Sequence, residues 1–154
     1  MSNRKYPRRP WVSAHGIIFD KKREKILLTK RAAPPKALFW FPPGGAIDLG
    51  ETVEEGLRRE IYEETDISVG TLRFIDYIDG ITHDSNTKVE FHFVVFMFEA
   101  EYSKGKIKAK DDALDVKWVP LEDIMSEAIP VPSELISILN KTKKLEHIPE
   151  NKTN

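Results

Sequence analysis

Three glutamates, Glu60, Glu63 and Glu64, crowd the end of a stretch that otherwise reads as an amphipathic helix from Thr52 to Thr65. Thr52 followed by Glu55 three residues later is a capping-box pattern, in which each side chain meets an otherwise unpaired backbone N–H. Measured from Val53, at about 100° per residue, Leu57 falls at about 40° and Ile61 at about 80°, which defines the apolar stripe. Glu64 falls inside that stripe at about 20°, Glu60 beside it at about −20°, and Glu63 on its edge at about −80°. Glu55, Arg58, Tyr62 and Thr65 are assigned to the opposite arc, facing solvent.

Without a partner, this arrangement is unfavourable. Glu60 and Glu64 are like charges at i,i+4, and Glu63 and Glu64 sit where the helix dipole disfavours anions. Burying unpaired carboxylates costs several kcal/mol more, or raises their pKa values. Arg59 is expected to offset one of the three, not all. A divalent cation with oxygen ligands would serve the rest, and glutamate donors point to Mg²⁺, with Mn²⁺ as a substitute. On the helix alone, a solvated acidic helix with a ragged apolar face is the competing reading.

The flanking elements must hold this helix in place. Trp11 to Phe19 and Ile26 to Lys30 read as strands joined by the polar turn Asp20–Lys25, a hairpin. Leu38 to Phe41 reads as a short strand stopped by Pro42-Pro43-Gly44-Gly45. Strands are expected at Leu72 to Ile78, Val89 to Ala100 and Asp115 to Val119, and helices at Leu121 to Ala128 and Ser133 to Leu145. The run Phe93-Val94-Val95-Phe96-Met97-Phe98 is apolar on both faces, so layers should cover both sides of the sheet. The last helix should turn Leu135, Ile136, Ile138 and Leu139 inward.

The 154 residues suit one domain, expected at 11–147 after a basic, flexible arm at 1–10 and before a frayed tail at 148–154. There is no cysteine, so disulfides and thiolate metal sites are excluded and a cytoplasmic location is expected. No stretch is long and apolar enough for a membrane span, and the segment after Trp11 is too short and polar for a signal peptide. The net charge of −1 hides a division. Residues 1–38 carry eleven Lys/Arg against Asp20 and Glu24, whereas residues 39–67 carry eight acids against Arg58 and Arg59. A basic block beside an acidic one suits a polyanion meeting metal cations.

Gly45, Glu51, Arg59, Glu60, Ile61, Glu63, Glu64 and Ile67 stand in a spacing that resembles the Nudix box, with Asp66 where the family has glycine. Aspartate is among the better non-glycine residues in a left-handed turn, so the turn can survive. Trp40 to Gly45 resembles the approach to the box, and Asp115 to Leu121 the family's last strand and its exit. The resemblance implies an α/β fold, an α/β/α sandwich with a mixed sheet between helices, and Mg²⁺-dependent hydrolysis of a diphosphate linkage in a nucleoside diphosphate derivative.

By that resemblance Glu60, Glu63 and Glu64 are metal ligands, joined by the Gly44 carbonyl, while Arg59 and Glu51 brace loop against helix. The general base is Glu60 or an acid on a later loop, for which Asp111 and Asp112 are the candidates. Arg31, Trp40 and Glu90 are the candidate substrate contacts. Each has an ordinary structural alternative: a solvated arginine, a core aromatic and a strand acid beside His92. Trp11, Phe39, Tyr77 and Trp118 are aromatic surfaces for which core packing is the default.

Markers of particular substrates are missing. No proline occurs between Pro43 and Pro120, Tyr77 is the only tyrosine between the box and the long strand, and Leu27 to Ala32 matches only the start of a coenzyme A signature. A nucleoside triphosphate, or a nucleotide sugar or ADP-ribose-like compound, is the leading substrate expectation. Two alternatives stay open: an RNA 5′-end pyrophosphohydrolase or decapping enzyme using Arg4, Lys5, Arg8 and Arg9, and a non-catalytic nucleotide-binding module. A homodimer is also implied by the family.

Overall fold

The computed structural model describes residues 4–146, and the expected frayed tail at 148–154 lies outside them. Seven strands and three helices follow in the order β1 (Trp11–Ile17), β2 (Lys25–Arg31), β3 (Trp40–Phe41), β4 (Gly44–Ala46), α1 (Val53–Thr65), β5 (Ser68–His83), β6 (Val89–Lys104), β7 (Ala113–Pro120), α2 (Leu121–Met125) and α3 (Ser133–Glu146). One sheet runs β4-β1-β6-β5, mixed because β1 and β6 are parallel; the other, β3-β2-β7, is antiparallel.

Adjacent residues on a strand point to opposite faces, and here both faces are covered. Ile17, Leu28 and Met97 point to the layer of α2 and α3, packing with Ile124, Leu135, Ile138 and Leu139. Their neighbours Ile18, Leu27 and Phe98 point the other way, to Leu57 and Ile61 of α1. Helices therefore flank the strands on both sides, as the doubly apolar run in β6 requires. Ile136 packs only partly into the α3 layer.

The predicted first hairpin is corrected in part. Its turn forms: the Leu27 N–H donates to the Ile18 carbonyl at 3.0 Å, and Asp20 Oδ1 accepts from the N–H groups of Glu24 and Lys25. Beyond the Phe19–Ile26 bridge the strands part into different sheets. Both edges of β1 are taken, by β4 and β6, so β2 pairs with β3 and β7 instead. Leu38 is in the left-handed region at φ 67°, which leaves Trp40–Phe41 as all of β3. The glycines read as a strand stop form β4, registered Gly44 against His15 and Gly45 against Ala14. β5 and β6 are each 16 residues long, a bulged hairpin reaching well past the expected apolar segments.

The capping box forms in full, with the Glu55 N–H donating to Thr52 Oγ1 at 3.1 Å and the Thr52 N–H to Glu55 Oε2 at 2.9 Å. At the other end Asp66 adopts the left-handed conformation, φ 65°, and its N–H donates to the Tyr62 carbonyl. Thr65, assigned to the solvent arc, is fully buried. It lies one turn beyond Ile61, and the segment 105–112 folds over it, the Lys108 N–H donating to its carbonyl. Replacing Thr52 by Ala should remove the cap at a cost of about 1 kcal/mol, lowering the thermal midpoint by about 2–4 °C in a calorimetric scan.

Candidate active site

The β4 strand and α1 face one another with little space between. A Cβ added at Gly44 would lie 2.0 Å from the Ala14 carbonyl oxygen, and one at Gly45 would lie 2.5 Å from the Glu60 carboxyl carbon. Only glycines let this strand approach β1 on one side and the glutamates on the other. His15, on β1 and buried, supports the approach by donating Nδ1–H to the Pro42 carbonyl at 2.8 Å. Burial holds its pKa down to about 4, with that bond opposing the fall and the charge of Arg31 adding to it, so the ring is neutral.

Arg59 is the hub of the charges. Its Nε and Nη2 fork the Glu51 carboxylate at 3.0 and 2.6 Å, Nη2 also donates to the Ala46 carbonyl at 3.1 Å, and Nη1 donates to Glu60 at 3.0 Å and Glu63 at 3.1 Å. Glu51 in turn accepts the Asp48 N–H at 2.6 Å. The Arg59 hydrogen bonds come first in holding the Glu51 pKa down at about 2, and that partner in turn pushes Arg59 upward. Arg59 thus touches two of the three helix glutamates, and its single positive charge is shared among them and Glu51. A planar fork with five donors can do this where lysine could not.

Glu64 is left with less. Among the described residues its carboxylate accepts only the Gly44 N–H, at 3.2 Å. Burial pushes its pKa up to about 8, Gly44 and the charge of Arg31 oppose this, and Glu60 and Asp112 add to it. Burial likewise raises Glu60 against the pull of Arg59, with Glu63 and Asp111 adding to the rise. Asp111 and Asp112 therefore stand close enough for their charges to be felt. They are carried there by the segment 105–112, where the Lys110 N–H donates to the Glu64 carbonyl and Lys110 Nζ to Asp66 at 2.9 Å.

Arg31 belongs to the same neighbourhood, its charge acting on Glu64. Trp40 does not offer a ring face: it is a core residue, 7% exposed, with the Lys117 ammonium 4.5 Å from its ring centroid. Glu90 is also not gathered in. It pairs with Lys5 at 2.9 Å, seven residues along β6 from the Met97 that sits opposite His15, or about 23 Å of strand. Both corrections have one cause, since strand register and core packing cannot be read from residue type. His15 carries no motif; a histidine flanked directly by Ala14 and Gly16 within an apolar strand is its only sequence signal.

Among the described residues, no three acids or histidines close on one point as a ready-made metal cage, because Arg59 stands between Glu60 and Glu63. The donor chemistry nonetheless fits a hard cation. The carboxylates are half-buried, they repel one another, and Glu64 has no cationic hydrogen-bond partner.

The family model described as "NUDIX domain" matches residues 9–139. The chain belongs to the Nudix family. A relative named ADP-ribose pyrophosphatase, from Methanocaldococcus jannaschii, is 34% identical over 115 residues, 75% of this chain. A nucleoside triphosphatase NudI from Escherichia coli is 32% identical over 93 residues, 56% of this chain. In both cases the match spans 64% of the relative's own length. A MutT NUDIX hydrolase structure from Burkholderia pseudomallei superposes with a TM-score of 0.73, at 27% identity, covering 86% of this chain and 98% of that one. The NUDIX domain of Shewanella oneidensis NrtR complexed with ADP ribose shares the fold, with a TM-score of 0.72 at 20% identity over 91% of this chain and 90% of that one.

The raised Glu64 sets a sign for the pH dependence of this Nudix domain. Its contribution to stability is fully present below the ordinary value of 4.5 and is lost as pH rises toward 8; that of Glu51 runs oppositely and is lost as pH falls from 4.5 toward 2. Without divalent ions, Glu64→Gln should therefore gain in thermal midpoint over the parent between pH 5 and pH 8, by several degrees, in parallel melting curves. A constant difference across that range would contradict a desolvated Glu64.

Proposed function

We propose that this Nudix domain is a divalent-metal-dependent pyrophosphohydrolase, cleaving the diphosphate linkage of ADP-ribose or a nucleoside triphosphate. The observation that carries this reading is Glu64: a half-buried carboxylate whose pKa burial raises to about 8, on a helix whose inward arginine, Arg59, is committed to Glu51, Glu60 and Glu63. The names of the relatives supply the two substrate classes. Glu60, Glu63, Glu64 and the Gly44 carbonyl would hold Mg²⁺ or Mn²⁺. When bound, such an ion neutralises phosphate oxygens and acidifies water.

The chain's own groups do the remainder. Arg59 and Glu51 lock the rotation of the box carboxylates against the loop at Ala46. Arg31 draws the diphosphate toward the cluster, where bare carboxylates would repel it. The attacking water must lose a proton to Glu60, or to Asp111 or Asp112 on the facing segment. The group whose removal flattens the acid limb of the rate–pH profile is the base.

A panel of ADP-ribose, nucleoside triphosphates and nucleotide sugars, with products identified by mass, tests the reading. Turnover with Mg²⁺ or Mn²⁺, its loss in chelator, and a fall of at least about 10²-fold in Glu64→Gln are expected. Glu51→Gln and Arg59→Lys should each lower kcat/KM by about 10–100-fold, since they act through carboxylate orientation. Full turnover in chelator would overturn the assignment.

A further inference from the structure

A cleft of about 860 Å³ opens where the turn after β1, the start of β5, the end of β6 and Trp118 of β7 come together. Its size is that of a site for a small organic molecule. It is separate from the carboxylate cluster. Gly44 and Gly45 lie opposite His15 and Ala14, whereas the cleft begins at Phe19, past the end of β1. Between the two places Ile61 and Ala100 close on Gly16, at 3.0 and 3.4 Å from where its Cβ would be. None of the box glutamates, Arg31, Asp111 or Asp112 lines the cleft.

One part of the lining is aromatic. Trp118 packs against the α1 core layer and shows its remaining surface to the cleft beside Tyr102, the two rings edge to face at 6.3 Å. The Tyr102 hydroxyl donates to the Gly105 carbonyl, which holds the ring in place. Another part is cationic. Arg23 lies over the Phe19 ring, its guanidinium carbon 4.0 Å from the centroid, and both Arg23 and Arg73 ion-pair with Glu99. One carboxylate therefore stands against two guanidinium groups.

The rims add charge of the same sign. The turn carries Lys21, Lys22 and Lys25, and the end of β6 and the segment after it carry Lys104, Lys106 and Lys108. Lys21 and Lys106 line the cleft itself. Among the described residues none of these six lysines has an ion-pair partner. Of the acids lining the cleft, Asp20 already accepts the N–H groups of Glu24 and Lys25, and Glu99 serves the two arginines, which leaves Glu101. Like charges on two segments that meet over one cavity repel each other unless an anion lies between them.

We propose that this cleft is a second binding site, for a nucleoside phosphate, with the base against Trp118 and Tyr102 and the phosphate between Lys21 and Lys106. Aromatic faces accept any base by stacking, and the cations hold the phosphate. A free nucleotide and the end of a single-stranded nucleic acid offer the same two groups. Binding here needs neither the box glutamates nor turnover, so the site is independent of the hydrolase reading.

Calorimetric titration of the metal-free protein with adenosine 5′-monophosphate tests the site. Lys21→Glu combined with Lys106→Glu, both exposed positions, should weaken binding at least about tenfold, and Tyr102→Ala about three- to tenfold, each with a melting curve like the parent's. Arg31→Ala and Glu64→Gln, away from the cleft, should leave this binding within about twofold. Adenosine and inorganic phosphate should each bind more weakly than the monophosphate. Amide hydrogen exchange should slow at residues 20–23 and 105–107 when the monophosphate is added. An oligoadenylate hexamer separates the two sources: tighter binding than the monophosphate, with a steep salt dependence, identifies a strand end, and binding no tighter identifies a free nucleotide. Affinity insensitive to the double charge reversal, or exchange protection confined to residues 44–64, overturns the site. If no diphosphate compound is hydrolysed but this binding persists, the second site stands and the hydrolase reading falls.

Discussion

Everything at this site depends on how one guanidinium is shared. Arg59 lies between the loop carboxylate of Glu51 and the helix carboxylates of Glu60 and Glu63, and it also ties the Ala46 carbonyl. Glu51 takes the two-pronged contact, so its hold on Arg59 is the tightest and the helix glutamates take what is left. Glu64 takes none. The acidic charge is therefore distributed unevenly by design of the spacing, with the least compensated carboxylate nearest the glycine loop and the arginine of β2. That gradient, more than the count of acids, is what sets Glu64 apart from its neighbours.

The frame that permits this sharing is a pair of sheets which meet at one turn. β1 brings Ala14 and His15 against the glycine strand, and β2 delivers Arg31 from the neighbouring sheet. The segment 105–112 then closes the C-terminal end of α1, placing two aspartates opposite the glutamates while burying Thr65. Each wall of the site thus comes from a different part of the chain, and the core layers on both sides keep the walls at fixed separation.

The helix and its acids were legible from residue spacing because angular position on a helix follows from sequence number alone. The caps were legible for the same local reason, including Asp66 in a left-handed turn. What spacing could not show was partnership across elements. The reach of Arg59 over both Glu60 and Glu63 is a matter of rotamer. Trp40 and Glu90 were misjudged because burial and register are set by long-range packing. Pro42-Pro43-Gly44-Gly45 reads as a break although Gly44–Ala46 is a strand, because a two-glycine strand is defined by what it approaches, not by its propensity. The basic run near the N-terminus gives no hint that Tyr6 is tied to Asp84, 78 residues away.

Arg58 and Arg59 are neighbours on α1 with opposite duties. Arg59 grips the loop on the inner side, while Arg58 donates to the carbonyls of Val69 and Gly70 on β5, at 2.8 and 2.7 Å. With one peg on either flank, and a cap at each end, the cylinder cannot roll. Inserting a single residue between Thr52 and Arg59 would turn everything beyond it through about 100°, carrying the glutamates off target while leaving their identities intact. The number of residues between Thr52 and Arg59 is therefore as binding on the site as their identities.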